Sequence, residues 1–298
     1  MNWELFPQFF ATGILTGGVY ALVALGLVLI YKASRVFNFA QGHILMVGAF
    51  IAWWFTENMG MSIWVAFAAA IATAAVLGLA IERVALRPLI GQPILATVMM
   101  TLALAQFLQG AAIMTFGAYQ RSLPDLFPLQ PIILGDVRLK LNLVLAFAMT
   151  MLGFGAFVLF FRFTPSGLAM RAAAEDHQLA QSTGLSVPRI FGMAWAIASV
   201  VATVGGVLLA SISGLEVTLA IIALKAFAAV LFGGLESIPG AIVGGLTVGV
   251  IESLAAGMPL DPAIRALNLG DIAPYVFMLL VLLIRPDGLF GLKRIERI

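Results

Sequence analysis

GGVYALVALGLVLIYKASRVFNFAQGHILMVGAF, residues 17–50, holds only two charged side chains, Lys32 and Arg35. It joins the end of one apolar run, 9–30, to the start of another, 41–55. A run of about 20 apolar residues is the length at which a helix crosses a bilayer. The first run reaches that length and the second falls short of it. Short segments interrupted by Gly or Pro mark broken or re-entrant helices around a transport path, or else tilted spans, and both readings stay open here. Outward from this stretch the alternation repeats. Further apolar segments lie at 63–79, 93–114, 141–160, 191–209, 220–232, 239–256 and 272–284, of which 220–232 is again short.

The expected fold class is therefore all-α: a polytopic transmembrane helix bundle of eight or nine membrane segments, one or two of them short or broken. Composition supports the same class. The chain is 62% hydrophobic and 10% charged, with a mean hydropathy of +1.08, whereas soluble domains carry roughly 25% charged residues. Only a bilayer relieves that much apolar surface of the need for a polar shell. A single transmembrane domain over 1–298 is expected, with no hydrophilic stretch long enough for a soluble one. The N-terminal MNWELFPQ lacks the basic region of a cleaved signal peptide, so the first span is expected to insert uncleaved.

Basic residues orient the chain. With the N-terminus outside, Lys32, Arg35, Arg83, Arg87, Arg162, Arg171, Arg189, Arg285, Lys293, Arg294 and Arg297 lie inside. Arg121, Arg138, Lys140, Lys225 and Arg265 lie outside. The inside excess predicts N-out and C-in. The net charge of +2 comes from these loops and gives no sign of nucleic-acid binding. Lys225 sits near the outer end of its segment, where a long side chain can snorkel to water. Glycines four apart, Gly13/Gly17, Gly240/Gly244 and Gly245/Gly249, predict close helix crossings. The outside loop 117–140 holds Pro124, Pro128 and Pro131 and is expected to be shaped, with a short helix or hairpin.

The inside loop, TPSGLAMRAAAEDHQLAQSTGLSVPR at 164–189, reads as a helix with both ends marked. Thr164 is placed to cap its start, with Pro165 at the first helical position. Gly184 suits the left-handed residue after its end. Arg171 and Glu175 stand one turn apart as an ion pair. Leu168, Ala169, Ala172, Ala173, Leu179 and Ala180 form a small apolar surface. Its alanines and mixed charges suit a protein groove better than a lipid surface.

These blocks resemble the permease subunits of branched-chain amino acid ABC importers of the LivH kind. The resemblance runs through residues 17–50, the loop and its continuation to GGVLLA at 205–210, KAFAAVLFGGLESIPGAIVGGLTVGVIESL at 225–254, and RPDGLFG at 285–291. It implies a coupling helix seated on an ATPase subunit, with Arg171, Ala172, Glu175, Asp176, Ala180 and Gly184 matching that motif. It further implies a homologous, non-identical second permease, two cytoplasmic ABC ATPases, an external solute-binding protein and a bacterial inner membrane. The implied substrates are leucine, isoleucine and valine, with relatives carrying urea, short amides or aromatic acids. This chain departs from the family at His43, where Glu is usual.

No GxxxxGK[ST] loop is present, so the chain lacks the usual means of binding ATP. Any ATP and Mg2+ would be used by partner subunits, and no cofactor is expected on this chain. HExxH and GxSxG are also missing, and there is no cysteine, so neither catalytic residues nor a metal site are expected. The candidate substrate path consists of Asn38, Gln41, His43, Thr97, Thr101 and Glu252, with open N–H groups at the start of the second segment as carboxylate donors. For His43, a substrate contact and a helix cap are both open. The alternative function is an ion-gradient-driven transporter, which explains the hydropathy and Glu252 but not the loop.

Overall fold

A computed structural model describes residues 5–124, 126–128, 130–135, 137–175, 177–182, 184–258 and 268–291. Asp176 and the basic residues Arg265, Lys293, Arg294 and Arg297 lie outside the described residues. Each apolar segment read from the sequence is a helix. They are α1 (Phe6–Ser34), α2 (Gln41–Glu57), α3 (Ile63–Ile81), α4 (Ile94–Phe116), α5 (Leu141–Phe163), α8 (Val187–Ser213), α9 (Leu219–Gly233), α10 (Ile238–Ala256) and α11 (Leu269–Ile284). Between α5 and α8 the loop forms α6 (Pro165–Glu175) and α7 (His177–Ser182). After α3 the chain winds through a π turn, Glu82–Leu86, and a 3-10 turn, Arg87–Leu89. The loop after α4 is shaped as expected, by an antiparallel hairpin of β1 (Pro131–Leu134) and β2 (Val137–Lys140).

Among the described residues, six helices are long and apolar enough to cross a membrane, by length and composition. The rest of the apolar set, α2, α9 and α11, have 17, 15 and 16 residues. The two segments singled out as short are thus short but continuous helices. The interruption lies before α2, at residues 35–40, rather than within it.

The helices pack as two compact units, each built from separated parts of the chain. The first comprises Met1–Val28, Phe127–Thr150 and Leu224–Ile298. Here α10 uses its glycines on two sides. A Cβ on Gly245 would lie 2.4 Å from the Ala21 Cα, and one on Gly249 would lie 2.4 Å from the Gly17 Cα. A Cβ on Gly244 would stand 2.0 Å from the Ala229 carbonyl oxygen. Backbones this close exclude any larger residue, which is how small residues drive association in lipid. Each pair of glycines read from the sequence thus lies at a real crossing, with α1 on one side of α10 and α9 on the other.

The second unit comprises Leu29–Leu126 and Met151–Ala223. Its centre is the packing of α2, α3 and α8 on one another, with α4 against α2. The inward faces are aliphatic or small, including Leu45, Met46, Phe50, Ala198 and Leu208, all buried. Val76 of α3, Phe107 of α4 and Leu152 of α5 stand outward and exposed. Large apolar side chains turned outward are what a lipid-facing helix presents, because lipid does not drive them in.

Candidate functional site

Helix α2 begins inside the protein. Asn38, Ala40 and Gln41 are buried, and Ala40 in the capping position offers no side-chain acceptor. Irregular backbone at such a place must find partners within the protein. The Asn38 side chain supplies two of them: its Oδ1 accepts from the Ala40 N–H (3.0 Å), and its Nδ2 donates to Gln41 Oε1 (2.9 Å). Gln41 Nε2 then donates to the Ala198 carbonyl of α8 (3.2 Å). Thr101 of α4 accepts from the Phe39 N–H (3.4 Å), and its hydroxyl faces the carbonyls of Val98 (2.8 Å) and Phe37 (3.2 Å). Asn38, Gln41 and Thr101 therefore form one neutral network holding residues 37–41 against α4 and α8.

His43 lies one turn further on. Its Nε2 is 3.4 Å from Gln109 Oε1 of α4, an arrangement that needs the proton on Nε2. Its Nδ1 is buried and meets no hydrogen-bond partner among the described residues. Gln109 is legible in the sequence only as one of several polar residues in an apolar helix, with nothing to pair it with His43. Thr97 is one turn before Thr101 on α4 and lines a cleft of about 340 Å3.

Glu252, the remaining substrate-path candidate, belongs to the first unit. There Lys225 Nζ of α9 lies 2.7 Å from Glu252 Oε1 of α10 and 2.8 Å from Asp271 Oδ1 of α11. Lys225 is buried, so it does not snorkel; it is neutralised in place by two carboxylates. Buried charge survives only with such pairing. Asp271 sits in the first turn of α11, where the helix dipole favours an anion. The sequence offered no route to this trio, because Asp271 looked like a loop residue before an apolar segment.

The loop helices show how the 164–189 stretch is held. Thr164 Oγ1 accepts from the Gly167 N–H at 3.0 Å, the bond of an N-cap to the third helical residue. At the other end Gly184 has φ +86°. Its N–H reaches the Gln181 carbonyl (3.0 Å), and that of Leu185 reaches the Ala180 carbonyl (3.1 Å). These two bonds are the Schellman pair, which only a left-handed residue closes comfortably. Both helix-end signals read from the sequence are thus realised. Asp176, between α6 and α7, lies outside the described residues.

The ion pair read between Arg171 and Glu175 does not form. Arg171 turns back instead, donating to the Phe161 carbonyl in the last turn of α5. That carbonyl has no partner within its own helix and sits at the negative end of the helix dipole, so it outcompetes an exposed carboxylate. Arg35 adds a second brace, donating to the Ala174 carbonyl at 3.3 Å. Met170, Ala173, Ala174 and Ala180 are buried, and α6 packs on α8. Leu168, Ala172, Glu175 and Leu179 face outward, Leu168 and Leu179 being 59% and 64% exposed. The apolar surface read as one patch is therefore two, one seated in the protein and one presented.

Comparison with known proteins places this architecture. The family described as the branched-chain amino acid transport system permease component matches residues 9–283. The permease protein LivH of the high-affinity branched-chain amino acid transport system of Salmonella typhimurium is 31% identical, over 98% of both chains. BraD of Pseudomonas aeruginosa, described in the same words, is 32% identical, over 98% of this chain and 97% of its own. A probable LivH of Methanocaldococcus jannaschii is 30% identical, over 96% and 93%. With six helices among the described residues long and apolar enough to cross a membrane, this multi-pass membrane protein belongs to the branched-chain amino acid transport permease family.

Proposed function

We propose that this chain is the membrane-spanning subunit of an ATP-driven importer, moving branched-chain amino acids across a bacterial inner membrane. In this reading the N-terminus is outside and the α6–α7 loop is cytoplasmic. A homologous second permease completes the pathway, two ABC ATPases bind the ATP and Mg2+, and an external binding protein delivers the solute. The chain itself does no catalysis.

One observation carries the reading. The α6–α7 loop is capped at both ends, braced by Arg171 and Arg35, and turns Leu168, Ala172 and Glu175 outward on one stripe. A rigid helix presenting two apolar residues and a carboxylate suits a groove in a partner protein, and it transmits motion because it is clamped to its own bundle. Asp176 and Gly184 extend that segment as further coupling candidates. Asn38, Gln41 and Thr101 serve the pathway by holding the start of α2, while His43, Thr97 and Glu252 are the candidates for direct solute contact.

The test is uptake of radiolabelled leucine by vesicles containing both permeases, the ATPases and the binding protein, comparing wild type with Glu175→Arg. Glu175 is exposed, so the variant should fold as wild type does. ATP-driven uptake is expected to fall to background, and the ATPases should no longer co-purify. Undiminished uptake that needs no ATPase would overturn the reading and favour a gradient-driven transporter.

A further inference from the structure

Helix α4 carries its central amide on the outward side. Thr97, Thr101, Ala105, Leu108 and Ala112 are its buried residues and mark the face that packs within the protein. At 3.6 residues per turn, Ala103, Gln106 and Gly110 all fall within about 40° of the direction opposite Thr101. All three are exposed. Large apolar side chains flank them, Leu102 and Ile113 on one side, Phe107 and Met114 on the other. The crest of α4 is thus small, polar and small, between two bulky apolar shoulders.

Lipid does not account for that crest. Gln106 stands one residue from the middle of the 23-residue helix, so a bilayer around α4 puts it near the centre of the hydrocarbon. A carboxamide has two donors and an acceptor oxygen, and leaving them unmet in hydrocarbon is costly. Gln106 makes no hydrogen bond among the described residues. Gln109, by contrast, has His43 beside it.

Gly110 is a separate observation on the same face. A Cβ there would meet nothing within 4 Å, whereas one on Gly244, Gly245 or Gly249 of α10 would strike a neighbouring backbone. Those glycines are accounted for by crossings inside the chain. Glycine within a helix lowers its stability, and among the described residues no such crossing accounts for Gly110. Small residues one turn either side of a polar one let a second helix come close enough to hydrogen-bond.

The occupant of this face lies within the bilayer. In the importer proposed above, the ATPases and the binding protein stand on either side of the membrane, and only the second permease spans it. Homologous subunits inserted alike face each other about an axis along the membrane normal, so groups of equal depth meet. A span of that subunit is what an amide at mid-span can reach.

We propose that the α4 crest, Ala103, Gln106 and Gly110, is the surface on which the second permease docks, with the Gln106 carboxamide hydrogen-bonded to a polar group of that subunit. The partner's identity rests on the function proposed above; the surface rests on the crest itself.

The experiment uses membranes holding both permeases and the ATPases. A photoreactive benzoylphenylalanine replaces Phe107, an exposed aromatic beside the crest, or, in a separate protein, the exposed Leu152 of α5. Irradiation should join the chain to the second permease from position 107, as identified by peptide mass spectrometry, and far less from position 152. Adducts with lipid alone, with a second copy of this chain, or in equal yield from both positions would overturn the proposal. Association is then titrated between fluorescently labelled permeases in lipid vesicles. Gln106→Leu should weaken it about ten-fold, as losing one or two hydrogen bonds between helices implies. Gly110→Leu, which fills the gap, should abolish it. Gln106→Leu adds no bulk, so its result stands even where Gly110→Leu fails to fold, and association unchanged in Gln106→Leu would sink the proposal. Capture of the second permease without ATP-driven leucine uptake would refute the import function and leave the surface standing. Uptake without capture would do the reverse.

Discussion

Two polar sites among the helices, one in each unit, solve the same problem with different chemistry. In the first, polar groups among the helices are ionic: Lys225 between Glu252 and Asp271. In the second, the polar groups around the start of α2 are neutral: Asn38, Gln41 and Thr101. The difference follows from what must be satisfied. Residues 37–41 expose backbone N–H and C=O groups, whose demand is for hydrogen bonds without net charge, and amides and hydroxyls meet it. A buried ammonium demands an anion. The ionic set can persist because one member, Asp271, is at a helix start and 64% exposed, so part of its charge stays solvated. The lesson is that a polar residue in such a bundle is read by what its neighbours lack, rather than by its own type.

This contrast can be broken most forcefully at Lys225. Lys225→Met takes the cation from the part-buried Glu252, whose side chain is 21% exposed, so the loss is expected at or below the lower end of the about 3–5 kcal/mol of breaking a fully buried pair. Thermal unfolding in detergent should show a large drop, with most of it recovered in Lys225→Met/Glu252→Gln. An unchanged midpoint in the single variant would mean the trio is solvated and the contrast false. Removal of Asn38 should cost less. Asn38→Ala strands the Ala40 N–H and one Gln41 oxygen, a penalty of about 1–3 kcal/mol, and hydrogen exchange should quicken at residues 38–41 before it does elsewhere. Thr203 sharpens the point from the other side. Its hydroxyl is buried in the second unit and makes no hydrogen bond among the described residues. Thr203→Val should stay within about 0.5 kcal/mol of wild type, since only an unsatisfied group is lost. A drop comparable to that of Asn38→Ala would show that the neutral network extends further than its hydrogen bonds indicate.

Much of this molecule is written locally. Apolar runs, the glycine spacings of α1 and α10, and the Thr164 and Gly184 ends of the loop all depend on residues within a turn or two of each other, or on period alone. The sequence therefore determined that the chain is an apolar helical bundle, where each helix lies to within a few residues, and how the inside loop begins and ends. Only the tertiary structure decided which polar groups meet. Gln41 reaches a carbonyl 157 residues away, Arg35 one 139 residues away, and Lys225 finds carboxylates 27 and 46 residues on. The pairing of Arg171 with Glu175 looked secure because it was local, yet a carbonyl left open at the end of α5 took the guanidinium instead. Helix periodicity says which face a side chain occupies; which neighbour fills that face depends on how the helices pack, and spacing along the chain carries no record of it.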